Sequence, residues 1–210
     1  MADPTPKPLT PKPLPFDPTG LRGLSEKLLR SHYDNNYSGA VKKLAAVREE
    51  LARLPDTAPG FVRSGLLHNE AMFRGSVVLH EAYFGHLGGD GKPGGEVRDA
   101  IAATWGSADA GVGRLRSGAL ALAGGSGWAL LALDLLTGEL AITSGPDHAH
   151  MPISAVPLVA LDMYEHSYHM DYGTAAARYI DAFFDNLDWE RIDARYRLAR
   201  TAAASLSDWA

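Results

Sequence analysis

A carboxylate and an imidazole stand four residues apart in this chain, at Asp162 and His166. The apolar run before them, residues 155–160, has the length and β-branched content of a buried strand. We therefore expect Asp162 where a strand ends and His166 at the start of a helical pattern, so that both side chains can point at one spot. Such a pair could begin a transition-metal site, which needs at least three protein donors and a place for water or substrate.

Two further histidines, His32 and His80, lie on predicted helices upstream and would complete a set of three histidines and one carboxylate. Taken alone, a histidine on a helix is more often a surface or core residue than a ligand. His68 and His86 are predicted to be such surface or loop residues.

Helical patterns fill the first half of the chain. The predicted helices cover residues 25–54, 65–85, 95–105 and 107–123. Within the first of them we expect a kink or break near Ser38 and Gly39, because glycine in a helix interior costs up to about 1 kcal/mol relative to alanine. The glycine-rich stretch 88–95 cannot hold regular structure and marks the end of the helical half.

The second half is predicted to contain a small sheet followed by further helices. The strands are expected at residues 128–135, 139–143 and 155–161, and the helices directly after Asp162, at 174–186 and at 189–204. The predicted fold class is α+β: an N-terminal long α-hairpin domain (residues 12–90), then an α/β domain with a three-stranded antiparallel sheet (residues 91–210). The proline-rich residues 1–11 are predicted to form a flexible arm.

Composition excludes several classes of function. The chain has 210 residues, a net charge of -5, 46% hydrophobic residues and no cysteine. The negative charge argues against nucleic-acid binding, which favours a basic face. No apolar stretch approaches the roughly 20 residues of a membrane span, and no signal-peptide pattern is recognisable. A soluble cytoplasmic protein acting on a small molecule is the expectation.

Residues 162–168, Asp-Met-Tyr-Glu-His-Ser-Tyr, resemble the Asp-x-Trp-Glu-His signature of the iron/manganese superoxide dismutase family, with Tyr164 where the family has tryptophan. Other landmarks agree: Leu-Pro-Phe at 14–16, Thr-Trp-Gly at 104–106, Gly-Ser-Gly-Trp at 125–128 and the segment 179–189. The resemblance covers about residues 12–196. It implies the predicted fold and one iron or manganese ion per subunit. It also implies the ligands His32, His80, Asp162 and His166, and the disproportionation of superoxide to oxygen and hydrogen peroxide.

The chain departs from the family pattern beside the metal, because it contains no glutamine at all. The family uses a glutamine, from the second helix or from the loop after the second strand, to hydrogen-bond the metal-bound water. On the helix, Ser76 stands at that position. In the loop, His148 or His150 could replace the glutamine, and we favour His148.

The residues at the family's substrate entrance are also replaced in this chain. Asn36 and Ala40 stand where the family has a histidine and a tyrosine, and His169 stands where it has a partner tyrosine. We expect Asn36, His148 and His169 to act as substitutes in the hydrogen-bond network. Glu165 keeps its family identity, which implies a homodimer joined through Glu165 and His166 across a two-fold axis, with a tetramer as an open alternative.

Two alternatives to dismutation remain open at this stage. In the first, the same metal centre acts on an organic substrate, with or without oxygen, in a pocket enlarged at Ala40, since function lives in the site rather than in the fold. A drug-sized cavity there would favour it. In the second, the protein is an interaction module without activity, although retention of all four donors speaks against this.

Overall fold

The computed structural model describes residues 9–206. Of the predicted flexible arm, residues 1–8 lie outside the described residues, and residues 9–11 have no regular structure. Among residues 9–206, no helix combines the length and apolar character needed to cross a membrane.

The N-terminal part is a helical hairpin, as predicted. Its first arm is continuous but changes type along its length: α1 (Glu26–Ser31), a π-helical segment (His32–Tyr37) and α2 (Ser38–Arg53). The second arm is α3 (Gly60–Gly85). Near Ser38 and Gly39, where a kink or break was predicted, the helix is unbroken but changes from π to α at Ser38.

Local signals account for the ends of the first arm. The Ser25 hydroxyl accepts a hydrogen bond from the Leu28 amide and so satisfies one of the free donors at the start of α1. Leu54 is extended at the C-terminal end, as expected for a residue that precedes a proline.

As far as residue 206, the C-terminal part contains five α-helices and a sheet. The helices are α4 (Gly95–Trp105), α5 (Ala108–Leu120), α6 (His169–Tyr172), α7 (Ala176–Asp185) and α8 (Trp189–Leu206), with a 3₁₀ turn (Glu165–Ser167) before α6. The strands are β1 (Trp128–Asp134), β2 (Leu140–Gly145) and β3 (Ala155–Asp162). They form one antiparallel sheet in the order β2-β1-β3, which confirms the predicted fold class.

One hydrophobic core cluster joins the two parts, with α3 and β3 in direct contact. It contains side chains of both, for example Val41 of α2 and Leu131 of β1. The division into separate domains at residue 90 stays a prediction. The shared core is what brings His32 and His80, on the hairpin, to the end of β3.

Candidate metal centre

The end of β3 places one carboxylate in the interior. Asp162 is the last residue of β3 and is paired across the sheet with Trp128, the first residue of β1. Its side chain is 0% exposed. The Tyr164 amide donates to its Oδ1 over 2.8 Å, so Oδ2 is the oxygen left to face the histidines.

Three imidazole nitrogens converge on that oxygen. The Nε2 atoms of His32 and His166 each lie 3.1 Å from Asp162 Oδ2, and the Nε2 atom of His80 lies 3.6 Å from it. The four donor atoms all lie within 4.8 Å of one another. Two donors that each bind one ion at about 2.1 Å are roughly 3 Å apart, so this spacing suits a single transition metal.

The hydrogen bonds of His80 show that the donors fit a metal. Its Nδ1 donates to the Ser76 carbonyl oxygen over 2.7 Å, which leaves Nε2 with a lone pair. Within the described part of the chain this buried Nε2 has no hydrogen-bond partner. A buried acceptor without a partner is costly, and a metal ion would satisfy it.

The electrostatics favour the charge state that a metal requires. Burial lowers the pKa of His32, and burial together with the charge of His32 lowers the pKa of His80 to about 3. Burial alone would raise the pKa of Asp162, but hydrogen bonds from His166 and His32 outweigh it and hold that pKa below the usual range. The result is an ionised Asp162 carboxylate beside the neutral imidazoles of His32 and His80, ready to bind a cation.

Apolar and aromatic side chains surround the two buried histidines. His32, the first residue of the π-helical segment, has the rings of Tyr83 and Phe84 at 4.9 and 5.0 Å between centroids. His80 on α3 packs edge-on against Trp128 at 5.1 Å. Such a shell restricts water and lowers the local dielectric constant around a bound ion.

The structure brings His148, the favoured replacement for glutamine, to the edge of this cluster. The Trp128 indole Nε1 donates to His148 Nδ1 over 2.9 Å, and the His148 ring lies 6.0 Å from that of His80. Tyr164 stacks between His148, at 5.0 Å, and the ligand candidate His166, at 5.4 Å. The aromatic residue that replaces the family's tryptophan therefore joins the two histidines in one column of rings.

The alternative in the same loop does not take part. The side chain of His150 is 68% exposed and its Nδ1 pairs with Asp147 on the surface. On α3, Ser76 is buried, and its hydroxyl lies 3.3 Å from His80 Nδ1, on the opposite side of the ring from the Nε2 donor.

The other predicted site residues stay predictions. Asn36 is half-buried and His169 is exposed, and between residues 9 and 206 neither makes a hydrogen bond or ring contact with the four donors. Ala40 is buried in the core at 5% exposure. An apolar cavity of about 500 Å³ is lined by residues such as Leu67, Val78 and His148, and Ala40 is not among them.

Two features were missed or misjudged from the sequence. The Trp128–His148 hydrogen bond depends on the loop after β2 folding back over the sheet, which no local pattern indicates. His86, predicted to lie at the surface or in a loop, is 3% exposed. His86 does lie in the turn after α3, but it is not at the surface, because Asp188 donates its amide proton to the His86 carbonyl and Leu87 bridges to Leu187, so the C-terminal part covers this helix end.

A helical hairpin packed on a three-stranded sheet, with three imidazoles around one buried carboxylate between them, defines a protein with a mononuclear metal centre. The chain belongs to the iron/manganese superoxide dismutase family. The model of the C-terminal domain of iron/manganese superoxide dismutases matches residues 93–195.

Individual relatives cover nearly the whole chain. It is 47% identical over 189 residues to a "Superoxide dismutase [Fe]" of Cupriavidus metallidurans, covering 90% of this chain and 96% of that protein. It is 33% identical over 207 residues to the "Superoxide dismutase [Fe]" of Aquifex aeolicus, covering 91% and 93%. It is 32% identical over 192 residues to a "Superoxide dismutase [Mn]" of Haloferax volcanii, covering 89% and 94%. Relatives named for either metal are therefore similar along their full length.

Proposed function

We propose that this protein disproportionates superoxide to oxygen and hydrogen peroxide, using one iron or manganese ion held by His32, His80, Asp162 and His166. The observation that carries the proposal is the convergence of these four side chains on one point, with the buried His80 Nε2 lacking a hydrogen-bond partner among residues 9–206. The full-length similarity to proteins named iron and manganese superoxide dismutases supports it.

The bound ion would supply reversible one-electron chemistry, so that one superoxide is oxidised and a second is reduced with uptake of two protons. The residues of the chain set the charge around the ion and the orientation of its ligands. Asp162 contributes a single negative charge in a dry pocket, where electrostatic effects are stronger than in water. His80 is oriented by its hydrogen bond to the Ser76 carbonyl, which also fixes the tautomer that leaves Nε2 as the donor.

His148 is the residue that we propose to guide a proton. Because its Nδ1 accepts from Trp128, the neutral ring carries its proton on Nε2. Burial lowers the pKa of His148 and so favours this neutral form. An Nε2–H donor beside His80 can hydrogen-bond a small oxygen ligand, as glutamine does elsewhere in the family. Asn36 and His169 are proposed as further members of this network.

We also propose a homodimer joined through Glu165 and His166. Glu165 is exposed, and in the part of the chain that the structure describes its carboxylate has no hydrogen bond or ion pair. The His166 side chain is 29% exposed, although its Nε2 faces Asp162. A carboxylate reaching His166 from a second subunit would orient that imidazole and raise its basicity. Assembly into a tetramer and a cytoplasmic location remain predictions, to be tested by sedimentation and by cell fractionation.

The test of the function is the rate of superoxide dismutation by the purified protein, with iron and manganese determined on the same sample. The matched variants are His80→Ala and His68→Ala, since both histidines lie on α3 but His68 is exposed. We expect His80→Ala to lose metal and activity together, and His68→Ala to keep both. A fully metallated wild-type protein without dismutase activity would contradict the proposal.

A further inference from the structure

Helix α3 and the loop after β2 are in close backbone contact at a glycine of the helix. A Cβ atom placed on Gly75 would lie 1.8 Å from the His148 carbonyl oxygen and 2.8 Å from its carbonyl carbon. The atoms in the way belong to the backbone, so a side chain at position 75 would force the loop itself to move. At the three other glycines of α3 an added Cβ meets nothing within 4 Å: Gly60, Gly65 and Gly85.

A second glycine lets the same loop fold back on itself. A Cβ on Gly145, the last residue of β2, would lie 2.7 Å from the His150 carbonyl oxygen and 2.5 Å from the Met151 Cε atom. Gly145 also pairs across the sheet with Trp128. The loop is thus held between α3 and the end of the sheet, and both contacts tolerate only hydrogen at the α-carbon.

This packing determines the position of the His148 ring. With the loop seated, His148 Nδ1 accepts from Trp128 over 2.9 Å and its ring lies 6.0 Å from that of His80. On the helix side, the next residue after Gly75 is Ser76, whose hydroxyl lies 3.3 Å from His80 Nδ1. A displacement of about 1 Å is enough to break a hydrogen bond between Trp128 and His148.

We propose that Gly75 and Gly145 are positioning residues that seat His148 beside the metal centre, because the absence of a side chain at each position lets the loop pack closely against α3 and the end of the sheet. This inference rests on the proposed function, in which His148 acts beside the bound ion. Gly75 and Gly145 touch neither metal nor substrate in this scheme and act only through the backbone of the loop.

The experiment compares Gly75→Ala, Gly145→Ala, His148→Ala and the double variant Gly75→Ala/His148→Ala in the metallated enzyme. Gly65→Ala is the matched control on the same helix. We measure metal content, melting temperature, the pH profile of activity and the tryptophan resonance Raman signal of the indole hydrogen bond. Trp128→Phe assigns that signal to Trp128, and because the signal does not depend on turnover, it tests the seating of His148 even if the protein proves not to be a dismutase.

We expect Gly75→Ala and Gly145→Ala to keep their metal, lose the Trp128 hydrogen-bond signal and fall about 10- to 100-fold in activity, as is common for groups just outside the ligands. Their pH profiles should match that of His148→Ala. The double variant should be no worse than His148→Ala, because both changes remove the same interaction. Gly65→Ala should keep full activity and melt about 2–4 °C higher.

Three results would overturn the inference. The first is a Gly75→Ala protein that folds with the wild-type Raman signal and pH profile. The second is a double variant whose losses multiply, which would mean that Gly75 acts independently of His148. The third applies if Gly75→Ala does not fold, in which case Gly145→Ala becomes the test. A wild-type Raman signal and pH profile in Gly145→Ala would then refute the proposed seating of His148.

Discussion

At the scale of single residues, the candidate metal centre combines one ionised carboxylate, Asp162, with the imidazoles of three histidines. The candidate donors and their order along the chain follow from the family resemblance, while the residues alone suggest only the pair Asp162 and His166 at a strand-to-helix corner. The pairing of Trp128 with His148 was not predictable, since it needs the nine-residue loop 146–154 to fold back to the sheet. Side chains that meet through such long-range folding leave no spacing signal.

Removing the charge of Asp162 should weaken metal binding while preserving shape. In Asp162→Asn the buried group keeps its size, but the only anionic donor becomes neutral. We expect the affinity for iron or manganese to fall by more than about tenfold. Loss of a residue that only hydrogen-bonds a metal ligand already costs about 10- to 100-fold in affinity, and Asp162 is itself a candidate ligand. Metal content after dialysis against a weak chelator measures it. Asp147→Asn, a carboxylate of the surface loop paired with His150, is the control that should retain metal.

His86 should make the folded protein sensitive to acid. Burial, reinforced by the charges of Arg195 and Arg191, lowers the pKa of His86 from 6.5 to about 3. Between these values the unfolded chain binds a proton that the folded protein excludes. The contribution of His86 to stability is therefore complete above pH 6.5 and is lost as pH falls toward 3, at about 1.4 kcal/mol per pH unit.

Urea unfolding at pH 7, 6, 5 and 4 tests this effect in His86→Gln against the wild type. We expect the variant to show a shallower loss of unfolding free energy below pH 6.5, because glutamine does not titrate. His68→Gln, at an exposed position on the same helix, should follow the wild-type curve. Parallel curves for His86→Gln and the wild type would contradict the assignment.

At the scale of secondary-structure elements, the π-helical segment His32–Tyr37 is the feature that the sequence did not reveal. A π turn contains one residue more than an α turn and is common at functional sites. Here it begins at a ligand candidate and is fastened by Lys12: the Tyr33 hydroxyl donates to the Lys12 carbonyl, and the Lys12 amide donates to the Tyr37 hydroxyl. Because these contacts join segments 21 and 25 residues apart, helix propensity alone predicts an ordinary α-helix.

Removing the hydrogen bonds that hold the π-helical segment should destabilise the hairpin. The Tyr37 hydroxyl accepts from the Lys12 amide over 2.8 Å and donates to Glu81 over 3.1 Å, and Tyr37 is 2% exposed. Tyr37→Phe removes both hydrogen bonds and should cost about 1–3 kcal/mol of unfolding free energy. Tyr33→Phe, which removes one bond at a more exposed site, should cost less. Urea denaturation of the three proteins measures the order, and equal stabilities would contradict it.

At the scale of the whole molecule, the centre lies at the junction of the two structural halves and close to the surface on one side. Three of the four donors are fully buried, whereas His166 is partly exposed. The fold class and the order of elements followed from periodicity and from the family resemblance, because both depend on patterns along the chain. Glu165 and His166 lie at the surface of a single subunit, where Glu165 is exposed and His166 is partly exposed. The contacts that they would make with a second subunit therefore remain a prediction.

The dimer can be tested by a change that preserves shape. If Glu165 reaches His166 of a second subunit, Glu165→Gln removes one charge from each of two symmetry-related links. Truncating one partner of a buried, hydrogen-bonded charge pair costs about 2–5 kcal/mol, so the dissociation constant should rise by about thirtyfold or more. Glu139→Gln, an exposed glutamate between β1 and β2, should leave it unchanged. Sedimentation velocity over a range of concentrations measures both, and a Glu165→Gln dimer as tight as the wild type would place the contact between subunits elsewhere.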